Sequence, residues 1–377
     1  MRVVIDATRL GSGAGGDETM MSGLLKGLAL TATAEDEFLV VVNQGVELPQ
    51  AVQRSAAMRE IRVRRLPGIV HFGVRLPWVV ARQRPQPDLV FSPIHAPMSQ
   101  RVPRALMVQD LSFEHHPEFF PAKVRVRLQS VVRRQARRVR SVLTISDDAR
   151  KDLISTYGLD PKIVTEIPLY ALDPVEPTAG EAEAARDWLK SQGLMGPYFL
   201  YLGNLHPRKN LARAIEAFGL LQQRRPDLAD HQLVIAGGRW WGSGEGDTAA
   251  QRAAAGSVVM VGKVDELQRE VLMRDALALV YVSLFEGFGL PPLEAMLRGT
   301  PVIASNVTSI PEVVGGGGLL VDPLDPDAIS EAMIRVATDP ELRATLVEAG
   351  LARAGQYNEL ATGTAFYDAL SAAVALD

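Results

Sequence analysis

Glu286 and Glu294 lie eight positions apart in the run Tyr281-Val-Ser-Leu-Phe-Glu-Gly-Phe-Gly-Leu-Pro-Pro-Leu-Glu294, where a buried strand, a glycine turn and a helix start follow in close succession. Gly287 and Gly289 let the backbone approach a ligand, Pro291-Pro292 opens a helix, and amides at a helix start attract anions. A turn of this kind suits a phosphate, while carboxylates beside it suit hydroxyls, which together is what a sugar nucleotide requires. Glu294 is expected in the first turn of its helix, where it would also complement the helix dipole. Upstream, Gly203 closes an apolar run, and Arg208-Lys209 stand before a helix expected from about Asn210. A guanidinium fork and a mobile ammonium beside helical amides suit a diphosphate and could neutralise a departing nucleotide without a metal.

These residues need strands and helices to hold them, and the hydrophobic pattern supplies both. Short apolar runs alternate with helical patterns throughout, which predicts an α/β protein with two doubly wound parallel sheets. The front strands are expected at Arg2 to Ile5, Phe38 to Val42, Ile61 to Leu66, Leu89 to Phe91, Ala105 to Val108 and Ser141 to Ile145. The back strands are expected at Tyr198 to Leu202, Gln232 to Ala236, Val258 to Val261, Leu277 to Val282, Val302 to Ala304 and Leu319 to Val321. Pro168 to Gly180, with three prolines, reads as the linker. In such sheets ligands bind beyond the carboxyl ends of the strands. Asp325-Pro-Asp327 imitates a metal-binding D-x-D, but its position before a helical run assigns it to capping, and no metal is expected.

Composition sets the outer limits. A chain of 377 residues, 47% hydrophobic and 22% charged, is ordinary for a globular enzyme of two or three domains. The absence of cysteine excludes disulfides, thiolate zinc sites and a cysteine nucleophile. No apolar run approaches the roughly 18 to 20 residues that span a bilayer, and the start of the chain does not read as a secretory signal. The expected location is therefore cytoplasmic. The net charge of −4 is unevenly spread, with 24 Lys+Arg against 17 Asp+Glu up to residue 168 and 16 against 27 thereafter. Much of the basic excess lies in Lys123 to Arg140, a predicted helix with Val124, Leu128, Val131, Val132 and Val139 as its apolar stripe. Its arginines read as a solvated face or as a peripheral contact with anionic lipid at the inner face of the membrane. No recognition motif accompanies them, so nucleic acid is not an expected partner.

The Glu286 turn resembles the E-x7-E signature of family 4 retaining glycosyltransferases, whose GT-B fold sets two Rossmann-like domains facing across a cleft. The likeness continues in Gly203-Asn-Leu-His-Pro-Arg208-Lys209-Asn210, Gly299-Thr-Pro-Val-Ile-Ala-Ser-Asn306 and Ser309-Ile-Pro-Glu312, so it covers roughly residues 198 to 345. It is looser in Ile5-Asp6-Ala7, Gly15-Gly16, Gln109-Asp110-Leu111 and Thr144-Ile145-Ser146. The resemblance implies an acceptor-binding domain over 1–170, a nucleotide-sugar domain over 171–357, and a last helix over 358–377 that crosses back to the first. It implies retaining hexosyl transfer from a nucleoside-diphosphate sugar (GDP-mannose, UDP-hexose or dTDP-sugar) to a glycan or lipid-linked acceptor of the cell envelope, with no cofactor. By the same resemblance Arg208 and Lys209 stabilise the leaving diphosphate, Glu286 contacts the sugar hydroxyls and Glu294 the ribose. Gly203, Asn204, Gly287, Phe288, Gly289 and Leu290 would line the donor through their backbone, Gly15 and Gly16 would seat a phosphate, and Arg239 and Val264 would lie near the base. Phe288 could equally be core.

One departure bears on the chemistry. The family usually has His-Asp-Leu where this chain has Gln109-Asp110-Leu111, so an ionisable group beside the transferred sugar is replaced by an amide. Asp110 could hold an acceptor hydroxyl or close a turn, and Ser146 is expected to cap a helix. His95, His115 and His116 are available substitutes or ordinary loop histidines. Three other readings are weighed. A glycosidase needs two acids across one bond and would have no use for Arg208-Lys209. Gly11-Ser-Gly13-Ala-Gly-Gly16 fits a dinucleotide fingerprint but lacks the acid after the second strand. A GT-B sugar-nucleotide epimerase or a non-catalytic nucleotide-sugar-binding partner would share the site, the second suggested by Gln109 alone.

Overall fold

The computed structural model describes residues 1–12, 16–93, 95–97, 101–171, 173–238 and 256–376. The chain divides into two units, one made of Met1–Tyr170 with Tyr357–Asp377 and the other of Ala171–Gln356. Each is built on a parallel sheet flanked by helices, as the alternating pattern predicts.

In the first unit the strands are β1 (Arg2–Asp6), β2 (Glu37–Asn43), β3 (Met58–Val63), β4 (Leu89–Ser92), β5 (Arg104–Met107), β6 (Ser141–Thr144) and β7 (Val164–Glu166). They pair in the order β3-β2-β1-β4-β5-β6-β7, all parallel. Every residue of β1 and β4 is buried, because helices cover both faces of a central strand and leave no solvent side to be polar. β3 differs. It lies at the sheet edge, most of it in contact with water, and it starts three residues before the position expected from its apolar content. β7 is a second edge strand of three residues, absent from the expected set because a strand so short carries no periodic signal.

The final helix, Glu359–Ala375, belongs to this unit and packs along the first helix, Gly16–Thr31. Glycines make the close approach possible: a Cβ built on Gly27 would lie 2.7 Å from Gly363 Cα, and one on Gly363 would run into the Gly27 carbonyl. Phe366, wholly buried, meets Phe91 of β4 edge to face with ring centroids 4.9 Å apart. Thr362 Oγ1 donates to Pro168 O at 2.7 Å, and Tyr367 Oη donates to Asp36 at 3.0 Å. Burying one such aromatic side chain contributes about 1.5–3 kcal/mol, so this helix is an integral layer of its unit.

In the second unit the strands are β8 (Tyr198–Leu202), β9 (Gln232–Ala236), β10 (Val258–Gly262), β11 (Ala278–Tyr281), β12 (Val302–Ser305) and β13 (Gly318–Val321). Their order is β10-β9-β8-β11-β12-β13, again all parallel. The order reverses between β8 and β11, which are neighbours with Ala278 opposite Phe199 and Leu279 opposite Leu200. One apolar core underlies the sheet, from Phe199, Phe218 and Leu233 to Ile303, Ile329 and Met333.

Candidate functional site

The pairing of β8 with β11 explains why residues 78 positions apart meet. Beyond Leu202 the chain runs through Gly203 and Asn204 to a short 3-10 turn, Pro207–Lys209, capped by His206 Nδ1, which accepts from Arg208 N at 3.1 Å. Asn210 then takes a left-handed backbone, with φ 57°, and starts the helix Leu211–Arg224. Its amide spans two loops, donating to Val282 O at 3.0 Å and Pro323 O at 2.7 Å. Leu284 N donates to Arg208 O at 2.8 Å. The loops after β8 and β11 are thereby fastened to one another by backbone and amide contacts.

Glu286 sits between the two cations. Arg208 Nη1 donates to its Oε2 at 2.8 Å and to Phe285 O at 2.8 Å, and Lys209 Nζ donates to Oε1 at 2.7 Å. Lys209 Nζ also reaches Tyr281 Oη and lies 4.6 Å from the centre of that ring. Burial alone would push the Glu286 carboxyl up, but the charges of Arg208 and then Lys209 outweigh it and hold the group down at about 2. Glu286 is therefore ionised across the physiological range, and two cations face one carboxylate. Tyr281 is driven the other way, well above its ordinary value, by burial first and by the Glu286 charge second. It remains a neutral hydroxyl.

The loop that carries Glu286 is shaped from below. Ser309 Oγ, fully buried, lies 2.9 Å from Glu286 O and 2.8 Å from Phe288 O, while Thr308 Oγ1 accepts from Glu286 N at 3.1 Å. Gly289 has φ 127°, a conformation that side chains rarely adopt, and a Cβ there would stand 2.9 Å from Ile310 Cδ1. Phe288 is 3% exposed and is core, so its contribution to a ligand is confined to the main chain. The helix Leu290–Leu297 has no side-chain cap. Its second and third residues are Pro291 and Pro292, which have no N–H, so fewer amides are offered than a helix start ordinarily gives.

Glu294 is placed differently from expectation. The helix begins at Leu290, so Glu294 falls in the second turn, buried and held by Arg269 Nη1 at 3.1 Å from each carboxylate oxygen. Burial raises this carboxyl above its ordinary value, although Arg269 and Arg298 oppose the rise. Arg298 in turn donates to Glu294 O at 2.9 Å and to Glu270 at 2.8 Å, and Glu270 also pairs with Arg274 at 2.7 Å. Arg269, Thr308, Ser309 and Tyr281 complete this region without having been singled out from the sequence as site residues. Ser309 stood in a noted motif with no role attached, whereas nothing in the local sequence marks Arg269 as the partner of Glu294. Val264 lies half-buried between β10 and the helix Glu266–Arg274. Arg239 and Gly15 lie outside the described residues.

In the first unit, Gln109 follows β5, and its amide donates to Asp17 Oδ1 at 3.1 Å, on the helix that Gly16 begins. Asp17 also pairs with Arg9 at 3.4 Å. Of the two roles open to Asp110 the structure shows the turn: its Oδ1 accepts from Ser112 N at 2.8 Å and Ser112 Oγ at 2.6 Å. Ser146 caps its helix by accepting from Ala149 N at 3.2 Å. His115 and His116 pair with Asp152 and Glu118, each at 2.8 Å. His95 packs edge to face on Phe72, its centroid 5.4 Å away, and burial followed by the charges of Arg127 and Arg9 keeps it neutral at lower pH than usual. A pair that sequence reading passed over is His71 Nε2 with Asp6 Oδ2, buried and 3.1 Å apart at the carboxyl end of β1. Asp325 accepts from Asp327 N at 2.9 Å and Ala328 N at 3.0 Å, which bears out its reading as a cap.

Residues 187–353, which contain the Arg208, Lys209, Glu286 and Glu294 arrangement, match the family described as Glycosyl transferases group 1. The chain is 33% identical over 267 residues to the O-antigen chain mannosyltransferase B of Escherichia coli, covering 69% of this chain and 68% of that one. It is 26% identical over 239 residues to the O-antigen chain mannosyltransferase RfbU of Salmonella typhimurium, covering 63% and 62%. Among solved structures, Anabaena Alr3699/HepE in complex with UDP and glucose superposes with a TM-score of 0.72 at 18% identity, over 98% of this chain and 99% of that one. WaaG, a glycosyltransferase involved in lipopolysaccharide biosynthesis, gives 0.68 at 15% identity, over 97% and 98%. These last two share the fold, two Rossmann-like domains of the GT-B kind. With a family match across its second unit and a relative of that identity and coverage, the chain belongs to the group 1 glycosyl transferases.

Proposed function

We propose that the chain transfers a hexosyl group, with retention and without a metal ion, from a nucleoside-diphosphate sugar to a hydroxyl of a glycan or lipid-linked acceptor in cell-envelope polysaccharide synthesis. The observation that carries this reading is the clasp of Arg208 and Lys209 on Glu286, set at the carboxyl ends of β8 and β11 where the strand order reverses. Two cations and one carboxylate leave an excess positive charge for a diphosphate. The carboxylate, held ionised, offers acceptors to sugar hydroxyls in the same place. The names of the relatives favour mannose as the sugar, with GDP-mannose ahead of UDP-hexose and dTDP-sugar donors.

In this reading Arg208 and Lys209 take up charge on the leaving diphosphate, Glu286 orients the sugar, and Glu294 accepts hydrogen bonds from the ribose while Arg269 holds it in place. The main chain of Gly287 to Leu290, with Gly203 and Asn204, lines the donor. The sugar–oxygen bond to the diphosphate breaks, the acceptor oxygen bonds the same face of the sugar, and the departing phosphate oxygen receives the acceptor proton. Gln109, in the first unit, offers hydrogen bonding but does not titrate. Positioning and electrostatics supply the rate, as expected where no side chain must form a bond.

The test is kinetic. R208A/K209A should lower turnover with a mannosyl nucleotide by at least about a hundredfold, the scale on which loss of a charge-stabilising donor acts, and should weaken nucleoside diphosphate binding. Unchanged turnover and binding would remove the leaving-group role. A thermal-shift series with guanosine, uridine and thymidine diphosphate sugars identifies the donor, since a ligand that binds the folded state raises the melting temperature.

A further inference from the structure

The arginines of the first unit are not spread evenly over its surface. Arg101, Arg104, Arg138 and Arg140 converge on one cavity of about 470 Å³, together with Val102, Pro103, Val139, Ile163 and Leu376. No aspartate or glutamate among the described residues lines it. Among the described residues, none of the four guanidinium groups makes an ion pair. Arg104 and Arg140 are half-buried, and Arg104 is fixed by two carbonyls: Nη1 donates to Pro97 O and Nη2 to Arg138 O, each at 3.1 Å. Arg140 N donates to Arg104 O at 2.9 Å, which locks the two segments side by side. Burial and the neighbouring Arg138 charge both push the Arg104 guanidinium below its ordinary value, as expected for a cation with no counter-charge.

The place in the fold separates this cavity from the proposed acceptor side of the unit. Arg104 opens β5 and Arg140 immediately precedes β6, so the cavity lies at the amino ends of these parallel strands, whereas Asp6 and Gln109 lie at the carboxyl ends. A structural explanation is at hand for two neighbouring arginines outside the cavity. Arg133 and Arg134 fall in the last turn of the helix Ala122–Ala136, where cations complement the helix dipole. It does not extend to Arg138 and Arg140, which lie beyond the end of that helix, or to Arg101 and Arg104, which come from another segment. Arginine presents a planar fork that matches two phosphate oxygens, and an anion between four such like charges, two of them half-buried, would relieve their mutual repulsion.

We propose that the Arg101, Arg104, Arg138 and Arg140 cavity is a binding site for a phosphate-bearing anion, separate from the donor site. Its chemistry fits a phosphate mono- or diester group, supplied by a soluble phosphate or by a lipid headgroup, with Val102, Val139 and Leu376 as apolar neighbours for whatever bears it.

The test uses the full chain carrying R208A/K209A, so that the proposed diphosphate site does not contribute and a failure there is not mistaken for a failure here. Binding of inorganic pyrophosphate is measured by calorimetry, and binding to phosphatidylglycerol or phosphatidylcholine vesicles by sedimentation. R101Q/R138Q/R140Q, added to that background, should weaken binding by at least about tenfold, the loss expected when charge-assisted hydrogen bonds are removed. R133Q/R134Q, which takes similar charge from the neighbouring helix, should leave it within about twofold. The three arginines of the first variant donate no side-chain hydrogen bond among the described residues, so its melting temperature should match that of the control. If it does not fold, the single R140Q variant must show the same direction. Binding of pyrophosphate identifies a soluble ligand, and binding only to phosphatidylglycerol vesicles identifies a headgroup. Absence of both, or equal losses in the two variants, overturns the proposal.

Discussion

Two buried carboxylates on one short stretch respond to their surroundings in opposite directions. Glu286, between Arg208 and Lys209, is held at about 2 against an ordinary value of 4.5. A carboxyl whose folded value is depressed contributes stability that is fully present above the unfolded value and is lost as pH falls toward the folded one. The window is therefore from about 4.5 down to about 2, and the contribution at neutral pH is on the order of 3 kcal/mol. E286Q should lower the unfolding free energy by about that amount at neutral pH, and the gap to the parent should narrow in denaturant titrations carried below pH 4.5. Glu294 has the reverse sign. Its folded value is raised, so ionising it removes stability as pH climbs past the unfolded value. E294Q should therefore melt at the same temperature as the parent or higher at neutral pH, while its affinity for the nucleotide sugar falls. That pair of outcomes would support the proposed role of Glu294 at the ribose. R269A should reproduce the affinity loss by leaving Glu294 unoriented, and R269K should restore part of it. The sequence made the Arg208, Lys209 and Glu286 group legible because glycines and prolines bracket it on both sides. It could not show Arg269 or Thr308, whose partners are chosen by the packing of strands and loops remote in the chain.

At the level of elements, the central strands were readable because helices bury both their faces and the apolar run is continuous, as in β8 and β9. Edge strands broke the rule. β3 keeps Arg59, Glu60 and Arg62 in water, so its polarity hid its start, and β7 was too short to announce itself. The close contact between the Gly16–Thr31 and Glu359–Ala375 helices was also hidden, because it depends on two glycines that read as unremarkable helix interior. It has a measurable consequence. G363A places a methyl against the Gly27 backbone, which cannot retreat as a side chain would. The substitution should cost about 1–3 kcal/mol of stability in the first unit, despite alanine's better helix propensity. Calorimetry would register this as a lowered melting temperature, and an unchanged or raised one would contradict the packing described.

For the molecule as a whole, the two units differ in how they are closed. The second is one continuous segment, Ala171–Gln356, with its own core, whereas the first needs Tyr357–Asp377 from the far end of the chain. A chain ending at Gln356 should therefore retain binding of the donor nucleotide within about twofold while the first unit loses its lowest-energy packing and melts earlier. Hydrogen exchange resolved along the chain would show the loss confined to the first unit. Loss of nucleotide binding in the truncated chain would place part of that site elsewhere.

This closure also orders events at the ribosome. All seven strands of the first unit's sheet lie within residues 2–166, but the Gly27 flank of its first helix stays uncovered until Glu359–Ala375 has emerged. The later-made unit has everything it needs sooner. The expected order therefore has the second unit maturing before the first, the reverse of the usual order in which the amino-terminal domain matures first. A nascent chain that lacks residues 359–375 should therefore expose the apolar surface that Phe366 covers, Phe91 included.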